Sequence, residues 1–379
     1  MALSTVQTNN KLIQFTKEIN REFVRENLFS PYMGTGLNSI IRKRYEPKQG
    51  GEQMNIPLVT KLNNSAKGVG TLVGNEEKID NYGMRVWIDW CRHAVATSKA
   101  ETQKDSADIF GEAKPLLSDW SKELMRDEII EAFMSHPSES APANLGSDNG
   151  QRVNGILYQD ATTAEHNTWA VNNSDRVLYG ASTGNYSGVH ATDLAKVDTT
   201  TDKLDEDIVS LAKRIALLSG PAVRPFKTND GYEDYVLFVG VNGFRDLKAS
   251  LTANNRDGRP RSEKNIIFRD GDLAWDGVIV RQVPEISSMV DDKFTSLLTA
   301  GASSTRVEPF FLCGQQALAV AYGQMMKPTF RKEDDYGFIK GVGVESAYGC
   351  AKMFKKHPMA GTKLVQWGVV SGFVSAAAD

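Results

Sequence analysis

The stretch Asp105–His136, DSADIFGEAKPLLSDWSKELMRDEIIEAFMSH, decides how the rest of the chain is read, because it carries the strongest helical periodicity in the sequence. Pro115 sits where a helix begins again or kinks, since proline lacks the N–H that an interior turn needs. After it Leu116, Trp120, Leu124, Ile129 and Phe133 line one side, while Asp119, Lys122, Glu123, Arg126 and Asp127 occupy much of the other. A helix of about twenty residues runs on the order of 30 Å, long enough to act as a spine.

Upstream the apolar period drops to two. MNIPLVTKL (Met54–Leu62) is followed by the glycine-rich bend KGVGTLVGN (Lys67–Asn75) and by MRVWIDW (Met84–Trp90). In the last run Met84, Val86, Ile88 and Trp90 alternate with Arg85, Trp87, Asp89 and Cys91, so one face is apolar and the other mixed. The spacing predicts a long two-stranded excursion, and a lone hairpin is marginal in water, so it needs something to lie against. Earlier still, Leu12, Phe15, Ile19 and Phe23 recur at helical spacing before FSPYMGTG (Phe29–Gly36) breaks the pattern. An amphipathic arm of this kind cannot bury its stripe alone, so it is expected on another part of the fold or on another subunit.

Downstream, 137–201 is rich in Ser, Thr, Asn, Asp and Gly and reads as loops with short strands. Asp202 is expected to cap a helix whose stripe is Leu204, Ile208, Leu211, Ile215 and Leu218, closed by Gly220-Pro221. A buried strand, DYVLFVGV (Asp234–Val241), turns at Asn242-Gly243 into a helix through Leu247 and Leu251. Strands follow at GVIVRQV (Gly277–Val283) and FFLCG (Phe310–Gly314), with an alanine-rich helix or strand at Gln315–Gln324. Helices alternating with strands in this way give an α+β domain. The last β signals, YGFIKGVGVESAYGCA (Tyr336–Ala351) and QWGVVSGFV (Gln366–Val374), need earlier partners, and the spine helix is the expected packing surface.

Chemistry is hard to place on this chain. The 379 residues imply two or three compact units, and 41% hydrophobic with 24% charged residues is a folded composition. No apolar run reaches the ~20 residues that span a bilayer, and Met1–Asn10 lacks a secretion-signal core, so synthesis in the cytosol is the expectation. Cys91, Cys313 and Cys350 stand far apart and read as packed thiols, neither a disulfide framework nor a metal knuckle. Gly68-Val-Gly-Thr-Leu-Val-Gly74 is followed by no helix, so it lacks the N-terminal dipole of a phosphate loop. The histidines His93, His136, His166, His190 and His357 are dispersed without a ligand pair, and no G-x-S-x-G elbow marks a nucleophile. The acidic groups at Glu76-Glu77, Asp205-Glu-Asp207, Asp291-Asp292 and Glu333-Asp-Asp335 suit turns and helix starts better than a metal. No catalytic, cofactor-binding or metal residue is therefore assigned. A net charge of −3 argues against a dedicated nucleic-acid binder, although the first fifty residues hold eight Lys or Arg, Arg42, Lys43 and Arg44 among them, against four Glu. That arm reads as a solvated helix face or as a nucleic-acid-facing segment.

The order of parts resembles the Johnson, or Hong Kong 97-like, fold of tailed-bacteriophage major capsid proteins: arm, long β excursion, spine helix, large α+β domain, returning strands. LVGNEE (Leu72–Glu77), VWIDWCRHAV (Val86–Val95) and FLCGQQALAVAYG (Phe311–Gly323) are similar in style to the N4-like podovirus branch of that family. The resemblance implies an N-terminal arm at 1–49 and an extended β-hairpin loop at 50–101 lying over a neighbouring subunit. It also implies a peripheral domain made of 102–141 with 327–379, and an axial domain at 142–326 carrying a loop-rich insertion at 142–201. It implies no enzyme and no cofactor, but a virion protein that assembles with itself as pentamers and hexamers into an icosahedral shell. Its further partners would be a separate scaffolding protein, a portal protein, a decoration protein and packaged double-stranded DNA met without sequence specificity. The separate scaffolding protein is expected because only about fifty residues precede the β excursion. Phe15, Phe23, Trp87 and Trp90 are the contact candidates between subunits, and Arg42, Lys43 and Arg44 the candidates for the DNA-facing surface. An exposed hairpin and an uncovered arm are liabilities in a monomer that identical neighbours remove. The competing expectations are an encapsulin-like compartment shell, another phage structural role such as a decoration or tail-tube protein, and a metal-dependent α+β enzyme.

Overall fold

The computed structural model describes residues 27–45, 52–59, 62, 64–79, 81–105, 109–227, 231–251, 273–332, 335–356 and 363–377. Phe15, Phe23 and the helix expected around them lie outside the described residues. In chain order come β1 (Met33–Gly34), β2 (Ile41–Tyr45), β3 (Gln53–Val59), β4 (Asn81–Trp87), β5 (Asp89–Ser98), α1 (Lys99–Lys104) and α2 (Ala113–Met134). Then follow α3 (Thr163–Asn172), β6 (Val177–Tyr179), α4 (His190–Leu194), α5 (Glu206–Leu218), β7 (Phe226–Lys227), β8 (Glu233–Val239) and α6 (Val241–Ser250). The remainder is β9 (Leu273–Trp275), β10 (Val278–Gln282), α7 (Pro284–Asp292), β11 (Val307–Cys313), β12 (Leu318–Phe330), β13 (Ile339–Lys352), β14 (Phe354–Lys356), β15 (Leu364–Gln366) and β16 (Val369–Ser375). The class is α+β.

The chain divides into two compact units. The smaller contains Arg92–Leu124 and Met326–Ser346. In it Ser98 caps α1 by accepting from the Glu101 N–H, and the strand ladder includes Arg331 N–H donating to Gly341 O at 2.9 Å. The first half of α2 buries Ala113 and Leu117, sets Trp120 against the His93 ring at 4.6 Å, and holds Lys114 over the Phe330 ring. Leu116, expected on the buried stripe, is 48% exposed, and Leu117 takes its place. Two tandem leucines differ by about 100° on a helix, and only tertiary packing decides between them.

The larger unit contains Leu28–Cys91, Met125–Met325 and Ala347–Asp379. Among its described residues seven strands form one sheet in the order β6-β16-β11-β8-β10-β9, with β7 beside β8. β11 is antiparallel to both β16 and β8, whereas β10 with β8 and β16 with β6 are parallel pairs. Both faces are covered, which is why these strands read as continuous apolar runs. Val236, Phe238, Phe311 and Phe373 face a core that also takes Ile129 and Phe133 from α2, Trp169 from α3, and Ile286 and Val290 from α7. Tyr235, Leu237, Phe310, Leu312 and Val370 face the opposite core, built on Ile208, Ala212 and Ala216 of α5 and Leu247 of α6. Phe133 stacks on Phe311 at 5.1 Å, and Phe29, read in the sequence only as part of a helix break, meets Phe238 edge-on at 5.0 Å.

Several local expectations change. The charged side of α2 is partly buried: Arg126, expected opposite the apolar stripe, pairs with Asp127 and Glu285 at 2.9 and 3.4 Å, and two acids the sequence reading did not place are buried with it. Glu128 meets Arg152 and the Tyr348 hydroxyl, each at 2.6 Å, and Glu131 meets Lys293 at 2.6 Å. A buried charge must be paired, and these partners lie far along the chain. Asp205, not Asp202, caps α5 through the Ile208 N–H, while buried Asp202 accepts from the Ala181 and Asp198 N–H groups. Asn242-Gly243 lies inside α6, whose N-cap is Gly240. The segment 137–201, read as loops with short strands, supplies the short edge strand β6 and, beyond that reading, the helices α3 and α4. The final strand β16 lies between β6 and β11.

Candidate assembly surfaces

The β3–β4 hairpin pairs Met54 with Val86 and Ile56 with Met84 in a regular antiparallel register. Its buried face, Met54, Ile56, Leu58, Met84 and Val86, packs on Ala319, Ala321, Ala351, Met353 and Phe354 of the same chain. The base of the excursion therefore rests on its own subunit. Beyond it Leu62, Val69, Leu72, Val73 and Ile79 are exposed. Glu77 accepts from the Asn64 N–H and Glu76 from the Gly74 N–H, so these acids shape the bend. The element after Gly74 is a strand, β4.

The joint between β4 and β5 departs from the expected alternation. Even-numbered Met84 and Val86 are buried, but after Ile88 the buried positions are odd-numbered, Asp89 and Cys91, while Trp90 is 54% exposed. The correction has a local cause, since β4 ends at Trp87 and β5 starts at Asp89 as a separate strand. Asp89 Oδ1 accepts from the Trp90 N–H at 2.8 Å, and Oδ2 from the Gly146 N–H at 3.1 Å. A Cβ on Gly150 would collide with the same carboxylate, so only glycine permits that approach. Asn154 completes the joint: its Oδ1 accepts from the Trp87 N–H at 2.7 Å, and its Nδ2 donates to the Trp87 carbonyl at 3.0 Å. The asparagine amide thus occupies the place of a ladder strand beside a half-buried Trp87.

Arg42, Lys43 and Arg44 fall in β2, which pairs in parallel with β1 and β12. Strand alternation puts Arg42 and Arg44 on one face and Lys43 on the other, so the triplet is not a single patch. Arg42 lies 3.5 Å from Gln316 Oε1, and desolvation, with the like charge of Arg44, lowers its pKa. Tyr45, next in the strand, stacks on Tyr322 at 5.2 Å.

Among the described residues no group of three or more His, Cys, Asp or Glu is arranged to hold a metal ion, and no helix is long and apolar enough to cross a membrane. Cys91, Cys313 and Cys350 are buried free thiols. Three of the dispersed histidines meet in space: His136 and His166 approach to 2.8 Å, and His166 stacks on His190 at 5.1 Å. No spacing rule joins positions so far apart. His357 lies outside the described residues.

A long helix, a sheet buried on both faces and a hairpin with an exposed apolar end are parts suited to a shell-building structural protein. The phage capsid protein family matches residues 5–378, and the chain belongs to that family, which is one of virion structural proteins and not of enzymes. It is similar to the major capsid protein of Pseudomonas phage KPP25, with 22% identity over 386 residues covering 97% of this chain and 96% of that protein. Its fold is similar to that of a chain in the Cyanophage Pam1 capsid asymmetric unit, with TM-score 0.83, 33% identity and 100% of both chains covered. It is also similar in fold to a chain of the Ralstonia phage GP4 capsid, with TM-score 0.72, 17% identity, and 100% of this chain and 99% of the other covered.

Proposed function

We propose that, as the major capsid protein of a tailed phage, this chain self-assembles from pentamers and hexamers into an icosahedral shell around double-stranded DNA. The observation that carries the reading is the likeness to the Pam1 capsid chain over the full length of both chains. Residues 50–101 act as the extended loop, and the exposed apolar side chains Leu72 and Val73 at its tip support a role against a neighbouring subunit. Trp90 is exposed beside that hairpin and, with Trp87 and the arm residues Phe15 and Phe23, is assigned to contacts between subunits. The peripheral domain is assigned to the smaller unit, with Arg92–Leu124 and Met326–Ser346, and the axial domain to the seven-stranded sheet, which takes β16 from the expected peripheral segment 327–379. Arg42, Lys43 and Arg44 contribute to the inner surface, where phosphate contacts need no sequence reading. A separate scaffolding protein, a portal protein and a decoration protein complete the particle, and correctly sized shells from this chain expressed alone would count against the scaffolding requirement.

The test is negative-stain electron microscopy of the purified full chain, alone and with the neighbouring phage genes. Closed shells, or pentamers and hexamers that convert to shells, are expected. A monomer or small dimer under every condition would overturn the reading.

A further inference from the structure

We propose that His136, His166 and His190, walled by Tyr158, Trp169, Tyr179 and Phe373, form an acid-sensitive lock in the capsid subunit: α3 and α4 stay packed on the large sheet only while these imidazoles are uncharged. Every member belongs to the larger unit, and the cluster plays no part in the assembly surfaces described above.

The geometry limits how many protons the cluster can hold. His136 Nε2 and His166 Nδ1 lie 2.8 Å apart, so one imidazole donates and the other accepts. With both rings protonated, two N–H groups would face each other across that gap. His190 is held at both nitrogens, Nε2 at 3.0 Å from the Tyr158 hydroxyl and Nδ1 at 2.7 Å from the Tyr179 hydroxyl. A neutral ring accepts from one phenol and donates to the other, whereas a protonated ring only donates and takes an acceptor away from a buried hydroxyl. His136 stacks on Trp169 at 4.9 Å, and buried Lys352 lies over the same indole, so a further cation borders the group. Neither His136 Nδ1 nor Lys352 Nζ has a hydrogen-bond partner among the described residues.

The surrounding charges offer little relief. His136 faces His166, Lys352 and His190, all basic, and Cys313 is the group facing Lys352. Glu165 stands beside His166 but is engaged by Thr162 in the N-terminal box of α3. Buried Asp193 lies toward Tyr179, and its oxygens already accept from Ser187, Gly188 and Lys196. Ser296 is the remaining polar neighbour of Tyr158. Half-buried His166 is the cluster's opening to solvent.

Burial lowers the pKa of all three histidines, with neighbouring basic groups adding to the effect at His136 and His190, and His190 falls to about 3. The unfolded chain, with histidines near 6.5, then binds more protons than the folded chain in acid. The stability they contribute is full above that value and drains as pH falls toward the folded-state values.

Urea unfolding of the unassembled full chain tests this. Between about pH 6.5 and 5 the wild-type unfolding constant is expected to rise more than tenfold per pH unit, the signature of more than one proton. His136→Gln and His190→Gln each flatten that slope, whereas Val73→Ser, at an exposed position outside the cluster, leaves it unchanged. Should a cluster variant fail to fold, histidine NMR titration of the folded wild type decides: all three imidazoles are expected to titrate below the free value. Flat wild-type stability across the window, an unchanged slope in folded cluster variants, or a cluster resonance titrating near 6.5 in the folded chain would each overturn the proposal.

Discussion

The seven-stranded sheet and the β3–β4 hairpin sit in the same unit, yet they are closed to different degrees. The sheet has an apolar core on each face, and side chains such as Val236 and Leu237 are fully buried on opposite sides. The hairpin is covered on one face at its base and leaves Leu72 and Val73 open at its tip. In the first region the apolar surface is satisfied within the subunit, and in the second it is left exposed at the tip. If the tip meets a neighbouring subunit as proposed, folding energy and assembly energy belong to separable residues.

Phe311→Ala is the most severe way to sharpen that contrast. Its ring is buried and stacked on Phe133, so the variant should lose about 3–5 kcal/mol in urea unfolding. A loss below about 1 kcal/mol would mean that the sheet is far looser than a closed core. Next comes Lys352, buried on the sheet side of β13, with a pKa pushed down to about 7 by desolvation. Between about pH 7 and 10.5 the folded chain binds fewer protons than the unfolded one, so stability rises with pH by up to about 1.4 kcal/mol per unit. Lys352→Met should remove that slope in unfolding curves. Asp89→Ala strips the joint of its acceptors and should lower stability by about 1–3 kcal/mol, with faster amide exchange at Gly146. The smallest stability effect is expected at the tip, where Val73→Ser should stay within about 0.5 kcal/mol of wild type. Particle yield by electron microscopy should nevertheless fall, and an unchanged yield would break the division between folding and assembly surfaces.

The fold was legible where one segment's own pattern sufficed. DYVLFV and FFLC are unbroken apolar runs because both faces of their strands are buried, and the stripe of α5 was readable through Ile208, Leu211 and Ile215 but not at Leu218, which is 78% exposed. Reading failed where distant partners decide. Arg126 was read on the face opposite the apolar stripe and Glu128 and Glu131 were not placed at all, until Glu285, Arg152 and Lys293 are brought against them. The same holds for the histidine cluster, for Phe29, and for the choice between Leu116 and Leu117. Of the contact candidates, Trp87 and Trp90 were read within one continuous alternation, whereas the chain breaks that strand at Ile88 and holds the ends with Asp89 and Asn154.

That break makes the joint a parity device. Residues can be added between Val59 and Asn81 in any number without altering which side chains of β4 face inward, because the pairing that sets them lies nearer the base. One residue added or removed between Trp87 and Asp89 would exchange the inner and outer faces of everything from there to the anchoring aspartate's contacts. The loop between Val59 and Asn81 can thus change its reach without turning β4 over, while the single residue at Ile88 sets which side chains of β5 face inward.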